Sequence, residues 1–362
     1  MYVNESNHQT FQIQNYNYDF ISNLIISNLD LPFIDLDIFG SYERIPTIWE
    51  NVQFSITQDP TSPSFIITFS KPQNYLHLKL NIQGRSAQFS KIQIASTLYK
   101  KRNSNDVADF LRSKKIAFLA CVRNCKETID QSLALMSEIG NQFHSYNINI
   151  FENDSIDGSD DHLKLLSSRN ELNLIQYKNL DEIYPLRTQR LSFGRNLLLN
   201  SIRGANVDYF AVVDMDGVAS KNFNIQSFLS NFESEECWDA VFPINDNQYY
   251  DIWAFRHKTL WDFDYEEKMN AVPTQFSNKK LIDFYLTSIM QLGINDLKNW
   301  LRVESAFGGM GIYKYDRFKE FRYSASLNGR HICEHVPFHT HASNFGRQLY
   351  INPNFIIHGL DA

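Results

Sequence analysis

DYFAVVDMDG, at residues 208–217, decides how the chain is read. Its apolar stretch, Tyr209 to Val213, is what a strand buried on both faces requires, and it stops at two acidic residues, Asp214 and Asp216. Working back from it, a long helical pattern runs from Arg187 to Arg203, preceded by a strand at 173–177, a helix at about 159–168 and a strand at 146–151. Before these come a helical pattern at 127–139 and a second unbroken apolar run, IAFLACV at 116–122. Strand and helix in alternation predict a Rossmann-like α/β domain with a mostly parallel sheet. Its ligand site is expected beyond the carboxyl ends of the strands. Residues 256–300, rich in Trp, Phe, Asp and Lys, read as a helical insertion, and no internal repeat is visible.

Before Lys115 the pattern differs. VQFSIT at 52–57, FIITF at 65–69, LHLKLNI at 76–82 and FSKIQIA at 89–95 read as short strands after an Asn/Gln-rich start. Leu76, Leu78, Leu80 and Ile82 alternate with His77, Lys79 and Asn81, as one buried sheet face requires. Turns are expected at Asp59–Pro63, at Lys71-Pro72 and at Gly84-Arg85-Ser86. The prediction is a small β-rich accessory domain over 1–110, a polar linker at 98–109, and the α/β domain over 111–362.

Composition narrows the function. A net charge of -7 argues against general nucleic-acid binding, because phosphates demand a basic face. An aromatic content of 14% fits sugar-stacking surfaces or simply a Phe-rich core. Cys121, Cys125, Cys237 and Cys333 form neither a disulfide framework nor a paired zinc motif, so all four are expected reduced. No apolar stretch approaches a membrane span and no leader pattern opens the chain, so the expected setting is cytoplasmic. A lipid-linked acceptor would bring it to the inner face of the membrane as a peripheral protein.

The chemistry is expected at Asp214-Met215-Asp216. Two carboxylates at a strand end suit a hard divalent cation, and such a cation eases departure of a nucleoside diphosphate. Asp-x-Asp also occurs as a plain solvated turn, so its context matters. Residues 151–159, FENDSIDGS, are an acidic-polar cluster that ends a strand and opens a helix; it suits either a nucleoside or an N-capping turn. Arg187 and Arg190 share a helix face and Arg195 follows just over a turn later, a basic set suited to phosphates.

Taken in order, Val122-Arg123-Asn124, Asn153–Ser159, Gly194-Arg195-Asn196 and Val213–Gly217 resemble a GT-A glycosyltransferase, in this half similar to the large inverting family-two enzymes. Tyr250–Ala254, Ser305–Tyr313 and Cys333-Glu334-His335 are similar to the capsule-associated α-1,3-mannosyltransferase family of fungi and its bacterial relatives. The resemblance covers roughly 115–362. It implies a GT-A-like fold and transfer of a sugar from a nucleotide-sugar donor to a glycan or lipid-linked glycan hydroxyl, in capsule or other surface polysaccharide biosynthesis, with Mn²⁺ or Mg²⁺. It also implies that Asp154 contacts the nucleoside, Arg195 its phosphates, Asp216 the cation directly, and Asp214 the ribose or cation. Gly308 and Gly309 would give the donor sugar or acceptor access to backbone amides, or make a turn. Glu334 would deprotonate or position the acceptor, across the site from the acidic pair; capping a helix or pairing with Arg330 would be its structural roles.

His331, His335, His339, His341 and His358 crowd the end of the chain. Their spacing of four mimics a helical zinc site, but Pro337 is expected to break that helix. His358 is the histidine chosen to complete the donor cation's coordination. Two other readings stand: a sugar nucleotidyltransferase, which should carry a Gly-rich loop where Arg123–Glu127 has none, and a glycan-binding protein with an inactive transferase domain.

Overall fold

The computed structural model describes residues 8–15, 20–27, 33–41, 49–58, 64–75, 77–84, 93–246, 248–271, 281 and 287–358. The chain divides into two compact units, Met1–Lys101 and Arg102–Ala362.

The first unit is all β. Its strands are β1 (His8–Gln14), β2 (Ile21–Ser27), β3 (Phe33–Ser41), β4 (Glu50–Asn51), β5 (Phe54–Gln58), β6 (Ser64–Gln73), β7 (His77–Gly84) and β8 (Gln93–Leu98). They form two four-stranded sheets, ordered β1-β7-β3-β4 and β5-β6-β2-β8, with every pairing antiparallel. Leu78, Leu80 and Ile82 of one sheet share a core with Leu24, Ile26 and Ile67 of the other. The alternation read at 76–82 thus does bury one face of a strand. Strands β1 to β3 precede the first strand read from the sequence, although Leu36 and Ile38 of β3 alternate with Asp35 and Asp37. Lys71-Pro72 is no turn: it lies within β6, where the register against β2 slips, and a slipped register is where a strand tolerates proline. The strand expected at 89–95 is found at 93–98. Asp59–Pro63, Leu76, Arg85-Ser86 and residues 89–92 lie outside the described residues.

The linker expected at 98–109 contains a helix, α1 (Ser104–Arg112). Its start is a reciprocal cap: Asp106 N donates to Asn103 Oδ1 at 3.0 Å and Asn103 N donates to Asp106 Oδ2 at 3.4 Å. Val107 and Leu111, one turn apart, are buried. Arg102 N donates to Glu233 O and its guanidinium to Phe232 O, both at 3.0 Å. The division therefore falls at Lys101, before the 110 read from the sequence, and α1 goes with the second unit.

The second unit is built on an eight-stranded sheet, ordered β11-β10-β9-β12-β15-β13-β18-β14. Here β9 is Lys115–Val122, β10 Ser145–Asn153, β11 Asn173–Tyr177, β12 Tyr209–Val213, β13 Ala240–Asn245, β14 Leu301–Arg302, β15 Met310–Lys314 and β18 Leu349–Ile357; β16 (Ser326–Leu327) and β17 (Arg330–His331) make a separate small hairpin. The four strands β11, β10, β9 and β12 run parallel, so their carboxyl ends meet on one edge. β15 is antiparallel to both β12 and β13, and β13 runs parallel to β18. The helices that join the parallel strands are α2 (Ile129–Gly140), α3 (Ser159–Ser168), α4 (Leu180–Ile183) and α5 (Arg187–Ser201), close to the sequence reading. α5 lies hard against β10 because position 194 is glycine: a Cβ there would sit 2.3 Å from the Phe151 ring. Beyond β12 come α6 (Ile225–Leu229) and α7 (Tyr265–Ala271). The expected insertion at 256–300 is helical at α7 and at Ile289–Asn295, while 272–280 and 282–286 lie outside the described residues.

Pro337 does not prevent a helix. One runs from His335 to Asn344 with Pro337 in its first turn, where a missing N–H costs no hydrogen bond. Its histidines still make no zinc site. His339 Nδ1 meets Ser305 Oγ at 3.0 Å and Nε2 meets the Tyr313 hydroxyl at 2.9 Å, and burial holds its pKa down to about 3.

Candidate active site

Where the parallel strands end, a cleft of about 260 Å³ opens, lined by Cys121–Cys125 at the end of β9 and just beyond it, Asn153 ending β10, Asp214–Asp216 after β12, and Arg187, Arg190 and Leu191 of α5. The loops around it are tied by short-range polar bonds. Asn124 N donates to Ser155 Oγ at 3.0 Å, Ile156 N to Asn124 Oδ1 at 2.9 Å, and Lys126 N to Asp157 Oδ2 at 2.9 Å. Thr128 Oγ1 donates to Met215 O, which fixes the acidic loop against the start of α2. The cluster at 151–159 thus spends most of its polar atoms on loop structure.

Asp214 and Asp216 behave differently. Asp214 N donates to Gly309 O at 3.0 Å, so the backbone of the acidic loop is anchored to the strand beside it. Burial raises the Asp214 carboxyl to about 7; Arg195 opposes the shift and Asp216 adds to it. Asp216 is exposed, and its carboxylate is oriented from both sides: Val218 N donates to Oδ1 at 3.2 Å and the Tyr250 hydroxyl to Oδ2 at 2.9 Å. Tyr250 is itself placed by Asn245, whose Oδ1 accepts from Tyr250 N at 2.8 Å. The Asn245 Nδ2 donates to Gly308 O at 3.3 Å and His358 O at 3.0 Å.

Behind the acidic pair lies a buried ionic network. Arg195, 4% exposed, donates from Nε to Glu334 Oε1 at 3.1 Å and from Nη2 to Asp214 Oδ1 at 3.5 Å. Its guanidinium lies over the Phe307 and Tyr323 rings, 5.3 and 5.7 Å from their centroids, and Nη1 finds no partner among the described residues. Asp251 joins this network: burial lifts its carboxyl to about 6, with Glu334 adding to the shift and Arg195 and Arg187 opposing it. One buried guanidinium therefore bonds both Glu334 and Asp214 and also lowers the Asp251 carboxyl, so further positive charge is welcome there. Among the described residues no group of three or more His, Cys, Asp or Glu could by itself hold a metal ion. That donor set fits a Mg²⁺-like cation, which takes one or two carboxylates plus substrate phosphates and water.

Several expectations need correcting. Glu334 is not across the site from the acidic pair but joined to it through Arg195, and it is buried. It pairs with neither Arg330, which meets Glu267 at 2.6 Å, nor the helix N-terminus beside it, where its side chain makes no cap. Asp154 does not present its carboxylate to the cleft: its two oxygens accept from Asn179 N at 2.6 Å and Leu180 N at 3.0 Å, starting α4. Arg195 is enclosed by its acids, and Arg190 is held by Asp181 at 3.2 Å and by the Tyr184 and Pro185 carbonyls. Arg187 alone of the three is exposed on the cleft, with no ion pair among the described residues. His358 does not gather with Asp214 and Asp216 around a metal point; Nδ1 pairs with Asp246 at 2.8 Å. Gly308 and Gly309 adopt φ of 70° and 98°, and a Cβ on Gly309 would come within 2.9 Å of Val218, so their freedom serves the turn into β15.

Tyr250, which bonds Asp216, and Asn153, which lines the cleft, were not singled out from the sequence, nor was Asp251 beside Tyr250. Tyr250 and Asp251 stood in a quoted motif, but nothing in the spacing joined them to Asp216. Cys121 is no nucleophile, since burial pushes its thiol up to about 12.

No family model matches the chain, and no curated protein does. Among solved structures it is similar to the mannosyltransferase PcManGT from Pyrobaculum calidifontis in complex with GDP-Man and Mn²⁺, at 12% identity and TM-score 0.40, over 68% of this chain and 56% of that one. S. aureus TarS 1–349 in complex with UDP-GlcNAc follows at 15% and 0.37, over 68% and 58%. M. tuberculosis glucosyl-3-phosphoglycerate synthase is similar at 9% and 0.37, over 73% and 77%. The chain thus spans little more than half of the first two. Likenesses this distant assign no function; the residues of the site have to.

Proposed function

We propose that residues 102–362 form a GT-A-type glycosyltransferase that uses a divalent cation and a nucleotide-sugar donor. The observation that carries this is the cleft at the parallel strand ends, where Asp214 and Asp216 face Arg187 and one buried arginine is outnumbered by carboxylates. Asp216, exposed and fixed by Val218 N and Tyr250, would be the direct ligand, with Asp214 behind it. When bound, Mn²⁺ or Mg²⁺ supplies positive charge that stabilises the departing diphosphate. Arg187 adds a mobile cation at the phosphates, and Asn153 and the 121–125 loop offer the nucleoside amide and backbone groups.

In the reaction the bond from the sugar's anomeric carbon to the phosphate oxygen breaks, and its electron pair leaves with the nucleoside diphosphate. An acceptor oxygen bonds to that carbon and gives up its proton to a carboxylate. Asp251 suits that role better than Glu334. It is partly exposed, and its carboxyl, held up to about 6 by burial, is ionised at neutral pH yet more basic than usual. Glu334 is then a positioning residue that holds Arg195 in place.

The likeness of Tyr250–Ala254, Ser305–Tyr313 and Cys333–His335 to capsule-associated mannosyltransferases makes mannose the first sugar to test and a surface polymer the first acceptor. The 123–128 loop holds no glycine, which disfavours a nucleotidyltransferase. The deciding experiment is hydrolysis of a nucleotide-sugar panel led by GDP-mannose, with Mn²⁺, Mg²⁺ or chelator. Cation-dependent cleavage of one donor supports the proposal, and no cleavage of any would leave a glycan-binding protein.

A further inference from the structure

A second cleft, about 1070 Å³, lies in the same unit between the 256–270 segment, the β16–β17 hairpin and the helix 335–344. It is at the upper end of what small-molecule pockets occupy, roughly 300–1,000 Å³, and so has room for a chain of linked units. Five acidic and four basic side chains line it. Many are matched with each other: Arg256 with Asp264 at 2.5 Å, Arg330 with Glu267 at 2.6 Å, Lys258 with Glu304 at 3.9 Å. Matched charges leave many hydrogen-bonding edges and little net field, which favours a neutral ligand rich in hydroxyls over a polyanion or polycation.

The two clefts share a partition. His331, which lines the second, bonds through Nε2 to Thr188 Oγ1 at 2.6 Å, and Thr188 follows Arg187 of the first. Val336 lines the second cleft two residues after Glu334, which holds Arg195 behind the first. The wall of the second cleft is thus tied to the wall of the first, and an acceptor for the reaction proposed above is needed beside the first.

We propose that this second cleft is the acceptor groove and that it takes an uncharged oligosaccharide. The assignment of an acceptor rests on the transferase reading above; the binding of a neutral glycan does not. The test is saturation-transfer NMR on the full chain, without nucleotide and with chelator present. The probes are mannotetraose, maltotetraose and cellotetraose, with tetragalacturonate as the charged comparison. At least one neutral tetrasaccharide should bind in preference to tetragalacturonate. Its dissociation constant should rise by about tenfold or more when Asp262→Ala and Glu266→Ala are combined, since each removes a charged hydrogen-bonding group. Asn270→Trp, which narrows the groove without removing a charge, should weaken the same signal in a protein that melts normally. Absence of binding by every neutral tetrasaccharide, preference for the charged one, or binding unchanged in both variants would overturn the proposal. Donor hydrolysis by the same preparation separates the two ideas. Binding without hydrolysis keeps the groove and ends the transferase reading; hydrolysis without binding does the reverse.

Discussion

The two units are both built from sheets around an apolar core, but they differ in strand direction, and the second gathers charge at one edge. In the unit 1–101 every strand pair is antiparallel, so neighbouring strands end on opposite sides. The shared core there includes Leu24, Ile67 and Leu80. In the unit 102–362, β10, β9 and β12 run the same way, and their ends deliver Asn153 and, one residue past the strand, Arg123 and Asp214 to one cleft. The helices that return the chain bring Arg187 and Arg195 to the same edge. Direction of strands, more than composition, decides where chemistry can collect.

That contrast is open to breakage, most sharply at the cleft. Asp216→Ala should lower donor turnover by about a thousandfold while the melting curve stays put, because the side chain is exposed and carries no core contact. A full-chain hydrolysis assay with matched calorimetry reads both. Asp251→Asn should cost about a hundredfold in transfer with nucleotide affinity retained, and wild-type transfer should fall as pH drops below about 6, where Asp251 takes up its proton. Glu334→Ala should instead destabilise the unit by about 1–3 kcal/mol, since it removes the nearer of two carboxylates bonded to a buried guanidinium, and denaturant unfolding would show it.

Asp214 supplies a test with a sign. Its carboxyl, raised by burial to about 7, holds a proton more tightly folded than unfolded, so its contribution to stability is lost as pH climbs from about 4 through 7. Asp214→Asn lacks that loss. Free of metal at pH 8 the variant should be more stable than wild type by about 1–3 kcal/mol, and near pH 4 the two should match. The smallest effect is expected from removing residues 1–101. If the comparison is right, 102–362 stays soluble and hydrolyses donor at a rate within about twofold of the full chain. Insolubility would show that the two units fold as one.

The strands of the second unit were legible because runs such as Ile116–Val122 and Tyr209–Val213 are apolar throughout, too short for a buried helix, and alternate with helical patterns. β1 was not, because Phe11-Gln12-Ile13 sits among polar residues that resemble linker composition; β2 and β3 carry apolar residues that the reading passed over. α1 looked like linker for the same reason: only Val107 and Leu111 face inward. The acidic pair was legible from its place after a strand. Its surroundings were not. The Arg195–Glu334 bond joins residues 139 apart, Tyr250 reaches Asp216 over 34, and no local spacing records either. His358 went wrong because a histidine in a conspicuous cluster says nothing of its partner, here Asp246 across 112 residues.

The central claim is that the cleft holds a nucleoside diphosphate through a cation on Asp216. Isothermal titration of GDP, UDP and ADP into the full chain, with Mn²⁺ and again with excess chelator, tests it most directly. One nucleotide should bind with Mn²⁺ and lose about a hundredfold in affinity with chelator, and Asp216→Asn should show the weak affinity under both conditions. Equal affinity with and without the cation, or an Asp216→Asn variant that binds as wild type does, would contradict the account.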